Sequence, residues 1–346
     1  MIVADLPPLF LRALGFVFGA LWGSFFNVAI HRWPRDMSVV SPPSHCPHCQ
    51  SPIPWWRNVP IAGYLVLKGR AACCGHKLTP RYLFVELTSA LLALALVERY
   101  VLEQPASMAL DEALLSALFY FFFVGGLIIA TFVDFEWFEI PDEVSIGGTA
   151  VGLASVALRT PGPDAIDCAV GAGVGFLAVH VLLVWSWERL TGRRGMGEGD
   201  PKLVMFIGAF LGWKGALFAL VGGAFQGTIF ALVAYALRRG REPERETKSD
   251  DAEEAEPIDP DRWVPPSPLV MADGTRVKLT DAARDLEVTD KKGRVLWDHR
   301  AADPGEEAEE SRWRRPIPFG PFLALGALEF LFFGDRLVEL YLGLFD

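Results

Sequence analysis

Long apolar runs alternate along this chain with short charged segments, and the runs fall near residues 9–31, 83–103, 112–133, 144–158, 165–187, 203–213, 215–237 and 318–344. A helix needs about 20 apolar residues to cross the hydrocarbon of a bilayer, and most of these runs reach that length. The pattern predicts an all-α polytopic membrane protein of about eight transmembrane helices. Two runs depart from it. The fourth contains Gly147, Gly148 and Gly152, and the sixth is short, so each reads as a tilted, broken or half-buried helix. The first run has no basic segment before it and no small-residue cleavage site after it, and so reads as a retained span.

The hydrophilic segments divide the rest. Residues 1–32 form the first span, 33–82 a small cytoplasmic module, 83–240 a membrane core, 241–316 a cytoplasmic insert and 317–346 the last span. Within the insert, VMADGTRVKL and LEVTDKKGRVLW each place turn residues between β-branched runs, which predicts two β-hairpins. Their flanks are acidic and carry too few apolar residues to order themselves. Basic residues set the orientation. Arg32, Arg35, Arg57, Lys68, Arg70, Lys77 and Arg81 fill the first loop, and Arg189, Arg193, Arg194 and Lys202 the fifth, so both loops are expected on the cytoplasmic side.

Just over half of the residues are hydrophobic, and the formal net charge is −10. The charge is local: residues 242–311 hold 21 of the 42 acidic side chains and only 10 of the 32 basic ones, so the remainder is close to neutral. The acidity belongs to the insert and says nothing about the partners of the membrane part. The lipid bilayer is one expected partner, and nucleic acid is not.

Two aspartates carry the strongest chemical signal. Asp134 ends the third run, and Asp200 closes Gly197-Glu198-Gly199-Asp200 just before the sixth, both on the expected cytoplasmic edge. Carboxylates beside hydrocarbon are costly and usually functional, although an aspartate at the end of a span is sometimes simply its first wet residue. The glycines at alternating positions favour function, because they let backbone approach closely. Two carboxylates sharing a site keep one proton between them, so one can act as base and the other as acid. Lys202 and Glu86 lie near the same edge. Glu86 is a candidate for shaping the site or for pairing with a basic residue.

The second signal is Cys46-Pro-His-Cys49 followed by Cys73 and Cys74, a spacing close to two zinc knuckles. Cytoplasmic thiols rarely form lasting disulfides, so a structural Zn site is expected. Ala71 stands where a regular second knuckle would place its first sulfur, which leaves Cys73 or His76 to supply the fourth ligand. Simpler roles fit the remaining groups: His31 and Arg32 as snorkelling anchors, His180 as a core histidine bonded to a neighbouring helix, Asp142 as a helix cap and Cys168 as a small buried hydrophobe.

The strings GSFFNVAIHRWPR, KLTPRYLFVE, VDFEWFEIPD, GMGEGDPKLVMFIGAFLGW and IPFGPFLALGAL, in this order around the cysteine island, resemble the bacterial type IV prepilin leader peptidases. The resemblance covers nearly all of the chain except 241–315, and its Gly-x-Gly-Asp element is shared with the wider class of intramembrane aspartyl proteases. It implies cleavage of the basic leader from prepilins of type IV pili or pseudopilins of type II secretion, with Asp134 and Asp200 as the catalytic pair. It also implies N-methylation of the new N-terminus with S-adenosylmethionine as methyl donor. No sequence feature locates that donor's pocket. Two other classes remain open on the residues alone: a proton- or cation-coupled transporter, which would usually show internal repeats that this chain lacks, and a non-catalytic scaffold for pilus assembly.

Overall fold

A computed structural model describes residues 2–192, 197–239 and 318–342, together with four short strands between the last two segments. The chain divides into two compact units, Met1–Tyr235 with Pro318–Asp346, and Ala236–Ile317.

The first unit is helical, and proline placement sets several of its boundaries. Helix α1 (Pro8–Arg32) opens on a proline, whose missing N–H costs nothing in a first turn, and stops at Trp33-Pro34. A short α2 (Ala62–Val66) lies in the cysteine module. Helix α3 (Arg81–Val97) follows Pro80 and runs on as a π-helical turn, Glu98–Leu102. Helix α4 (Leu110–Trp137) ends where Phe138 turns left-handed at φ 53°. A π-helical turn (Glu143–Gly147) leads into α5 (Gly148–Ala154). Helix α6 (Ala165–Ala178), capped by Asp164 accepting the Asp167 N–H at 2.7 Å, continues through Val179–Trp185 to α7 (Ser186–Thr191). Helices α8 (Gly199–Arg239) and α9 (Gly320–Leu342) complete the unit.

Four helical stretches are long and apolar enough to cross a membrane: Pro8–Arg35, Leu110–Trp137, Ala165–Thr191 and Gly199–Leu237; Gly320–Gly334 is a shorter apolar helix. The predicted sixth and seventh runs share α8, which kinks at Gly212 (φ 69°, ψ −175°), a conformation open to glycine. The run at 144–158 is built from three short helical pieces. Helix α4 is central, with 72% of its most apolar stretch buried.

Small residues let these helices meet, as expected where lipid tails remove the hydrophobic drive between them. A Cβ on Gly19 would lie 2.6 Å from Ala93 Cβ, and one on Gly23 2.7 Å from Glu86 Cα, so the stripe Gly15, Gly19, Gly23 fixes α1 against α3. Gly148 and Gly152, which read as helix weakeners in the sequence, instead seat Phe206 and Phe210 of α8. Those rings stack into a core with Phe123 and Tyr120.

The break at Gly212 orphans carbonyls that a continuous helix would satisfy. Arg159, only 3% exposed, answers two of them: its guanidinium donates to the carbonyls of Phe210 at 2.7 Å and Ala209 at 3.0 Å, and reaches across to that of Gly152 in α5 at 2.8 Å. Cys168, buried as expected, lies 3.7 Å from the same guanidinium.

In the second unit, Leu269–Val270 pairs antiparallel with Arg276–Val277, and Glu287–Thr289 with Val295–Asp298. The turns of the two predicted hairpins, and the acidic flanks, lie outside the described residues.

Candidate active site and metal centre

Asp134 sits in the last turn of α4 and Asp200 in the first turn of α8. Each is 7% exposed, and they lie close enough for the charge of one to act on the other. Neither is an ordinary wet residue at the end of a span. The Gly320 N–H, at the start of α9, donates to Asp134 Oδ2 at 2.9 Å, and the Gly197 backbone N–H donates to the Asp200 carboxylate. A Cβ on Gly199 would meet Ile140 Cβ at 3.0 Å, so the glycine there admits the loop that follows α4. Gly195 and Met196, which begin the motif, lie outside the described residues.

Lys202 points elsewhere. Its ammonium pairs with Asp142 at 2.6 Å and ties the start of α8 to the loop after α4. Asp142 holds the cap position expected for it but makes no cap bond, because its carboxylate is engaged by Lys202. Glu86 is placed away from the pair. It is 8% exposed, accepts the Ile61 N–H at 2.7 Å and a bond from Ser24, and lines a cavity that neither aspartate lines.

Sequence reasoning missed three supports. Gly320 reaches Asp134 from a helix far downstream; Arg81 of α3 pairs with Glu136; and the Arg35 guanidinium lies 4.7 Å over the Trp137 ring. Together they gather the ends of α1, α3, α4 and α9 at one end of the bundle. Arg32 also departs from its expected role. It does not snorkel: it is buried, and donates to the carbonyls of Ser38 at 2.9 Å and Pro42 at 2.7 Å, pinning the entry to the cysteine module. His180 stacks on Phe176 of its own helical stretch, with centroids 5.4 Å apart, where a bond to a neighbouring helix was expected.

The cysteine module consists of two similar turns. In the first, the Cys46 N–H donates to Ser51 O and the Gln50 N–H to Cys46 O, both at 2.9 Å; in the second, the Ala71 N–H donates to His76 O and the Gly75 N–H to Ala71 O, both at 2.8 Å. Gln50 and Gly75 close them at φ 58° and 71°. Ala71 therefore occupies the place of Cys46, and Cys73 brings the displaced sulfur back. The sulfurs of Cys46, Cys49, Cys73 and Cys74 lie within 4.8 Å of one another, and all four are free thiols. His76 is outside this group and stacks on His48 at 4.3 Å.

Four thiols this close fit one tetrahedral ion, since metal–sulfur bonds of about 2.3 Å put sulfurs about 3.8 Å apart; Cys46 to Cys74 is 3.8 Å and Cys73 to Cys74 is 3.9 Å. The thiols share their protons unequally. Hydrogen bonds with Ser51 bring Cys49 down to about 6, and donation to Cys49 pushes Cys73 up to about 12.

Comparison with known proteins agrees with this division of chemistry. The model of the bacterial peptidase A24 N-terminal domain matches residues 17–100, which hold the four sulfurs, and that of the type IV leader peptidase family matches residues 121–232, which hold both aspartates. A prepilin leader peptidase/N-methyltransferase of Myxococcus xanthus is 32% identical over 348 residues, covering 95% of this chain and 92% of that protein. The chain belongs to the type IV leader peptidase family. Relatives of the same description in Klebsiella pneumoniae (36% identical, 58% of this chain and 84% of the relative) and Pectobacterium carotovorum (31%, 67% and 86%) agree. No solved structure gives a significant match. Family membership brings both halves, the carboxylate pair and the cysteine module, into one enzyme.

Proposed function

We propose that this protein is a membrane-embedded aspartic endopeptidase that removes the leader from prepilins or pseudopilins and N-methylates the new N-terminus. The observation that carries the reading is the meeting of two buried carboxylates, from the end of α4 and the start of α8, at one end of an apolar bundle. A carboxylate pair of this kind holds one proton between its members, and its titration belongs to the pair. The ionised member takes a proton from a water, whose oxygen bonds to the scissile carbonyl carbon. The protonated member polarises the carbonyl oxygen. Collapse of the tetrahedral adduct breaks the C–N bond, and the protonated aspartate gives its proton to the leaving amine. Burial strengthens each of these interactions, and the Gly320 N–H holds Asp134 in one orientation.

Cys46, Cys49, Cys73 and Cys74 would hold zinc, which staples a module whose apolar core is too small to fold alone. S-adenosylmethionine supplies the methyl group. The chain crosses the inner membrane as about eight spans, with the shorter segments 83–103, 144–158 and 203–213 among them. Its basic loops put the carboxylate pair on the cytoplasmic side. The five segments marked by the hydrophilic islands act as domains, and the insert carries two β-hairpins.

Co-expression with a prepilin, read by the mass of the pilin N-terminus, tests both activities. Asp134→Asn and Asp200→Asn are each expected to leave the leader attached, with a rate at least about a thousandfold lower. Leader removal at the normal rate by either variant refutes the peptidase assignment, and a cleaved but unmethylated wild-type product refutes the methyltransferase assignment alone.

A further inference from the structure

Residues 240–319 join α8 to α9, a connection long enough to leave the height of α9 in the bundle to packing rather than to the chain. Beyond Gly212 the two helices run antiparallel and nearly touch. A Cβ on Gly223 would lie 3.1 Å from Leu323 N, one on Gly326 3.0 Å from Ala219 Cα, and one on Gly215 3.0 Å from a Phe330 ring carbon. Close approach between small residues drives association in lipid, but here it does not choose a height. Gly215, Ala219, Gly223 and Gly227 recur at every fourth position, so a slide of α9 by one turn, about 5.4 Å, meets a surface of nearly the same shape.

One pair breaks the repetition. Gln226 Nε2 donates to Glu329 Oε2 at 2.7 Å. Gln226 is the one amide side chain of α8, and Glu329 is the one ionisable side chain between Gly320 and Gly334, so no neighbouring turn offers the same bond. Gln226 Oε1 is buried without a partner among the described residues. An acceptor left unsatisfied works against stability, so the pair contributes a choice of register more than strength. Among the described residues, the other hydrogen bond from α9 to a neighbouring helix is that of the Gly320 N–H to Asp134 Oδ2, about 14 Å along the axis from Glu329.

We propose that the Gln226–Glu329 bond sets the register of α9 and thereby places the Gly320 N–H at Asp134, an inference that rests on the peptidase reading above. Glu329 is then a positioning residue, which acts on Asp134 through Gly320. A slide of one turn would carry that N–H about 5 Å from a carboxylate it now meets at 2.9 Å. Selecting one register among several of similar packing is the best-attested use of a polar pair between helices.

The test moves the pair by one turn in the full-length protein in detergent and reads kcat and KM on a synthetic prepilin peptide, with the thermal unfolding midpoint as a check of fold. Glu329→Leu/Phe333→Glu shifts the acceptor along α9 and leaves Gln226 in place, so the bond forms in the slid register. Bonds of this class bias an equilibrium by about 3- to 20-fold, so kcat should fall about fivefold, with KM and the midpoint little changed. Adding Gln226→Leu/Gly222→Gln moves the donor by the matching turn, at a glycine where a Cβ meets nothing closer than 3.7 Å, and should restore kcat. An unchanged kcat in the first variant, or a folded second variant that stays slow, overturns the inference. If either variant unfolds, Gln226→Leu/Glu329→Leu decides, since replacing both partners by apolar groups is close to neutral for stability. It is measured with and without Gly320→Ala. A fall in kcat of about two- to threefold, confined to chains that keep Gly320, supports the inference; no fall, an equal fall in both, or loss of fold overturns it. Normal cleavage by Asp134→Asn refutes the peptidase reading instead, and the inference falls with it.

Discussion

Gly320→Ala isolates one hydrogen bond at the carboxylate pair. A Cβ at residue 320 would lie 2.6 Å from Asp134 Oδ2 and 3.3 Å from its Cγ. Ordinary contact needs about 3.5 Å, so the carboxylate must move by roughly 0.5–1 Å. A shift of that size breaks the 2.9 Å bond from the Gly320 N–H and turns the reacting oxygen away from Asp200. A hydrogen bond to a charged group contributes about 1.5–3 kcal/mol, which corresponds to about a 10- to 150-fold loss in kcat. The backbone of Gly320 is helical, so alanine introduces no strain there and favours the helix slightly. The signature is therefore a fall in kcat with KM and the unfolding midpoint little changed, measured on a synthetic prepilin peptide with the purified protein. A wild-type kcat would refute the proposed role of Gly320, and a fall in both rate and midpoint would show a purely structural one.

Arg159→Met should lower stability by at least about 2 kcal/mol, because the buried carbonyls of Phe210 and Ala209 at the break lose this donor; thermal unfolding in detergent reads this directly. In chelator-stripped protein Cys49 should alkylate first, with its rate half-maximal near pH 6 and falling below it as the thiolate is protonated, while Cys73 reacts only in strong alkali; peptide mapping after a brief iodoacetamide pulse distinguishes them. Deleting residues 242–311 should leave cleavage largely intact at high salt, since both aspartates and all four clustered cysteines lie outside it. Loss of cleavage at every salt concentration would make the insert part of the enzyme.

Periodicity and motif spacing carried the sequence reading as far as local chemistry goes. Asp134 and Asp200 were legible because a carboxylate at an apolar edge is costly whatever surrounds it, and Cys46 and Cys49 because ligand spacing is local. The choice of Cys73 over His76 was not, since it depends on how the turn from Ala71 to Gly75 folds back. Contacts between distant segments left less trace. Gly320 meets Asp134 across 186 residues of sequence, and its glycine pattern resembles that of any packed helix. Arg159 drew no reading from the sequence, because the break it serves, at Gly212, is a backbone event. For Glu86 and Arg32 the sequence marks only the end of an apolar run, and the contacts with Ile61 and Pro42 tell what each side chain faces.

The bond between Gly320 and Asp134 also has a consequence for the order in which the protein is made. Both aspartates leave the ribosome well before Gly320, with the whole insert between them. A growing chain thus carries its carboxylates without the donor that aligns Asp134 until the helix that opens at Gly320, beyond the insert, has been made. On the proposed peptidase reading, a chain cut short before Gly320 therefore holds both carboxylates without the group that orients Asp134.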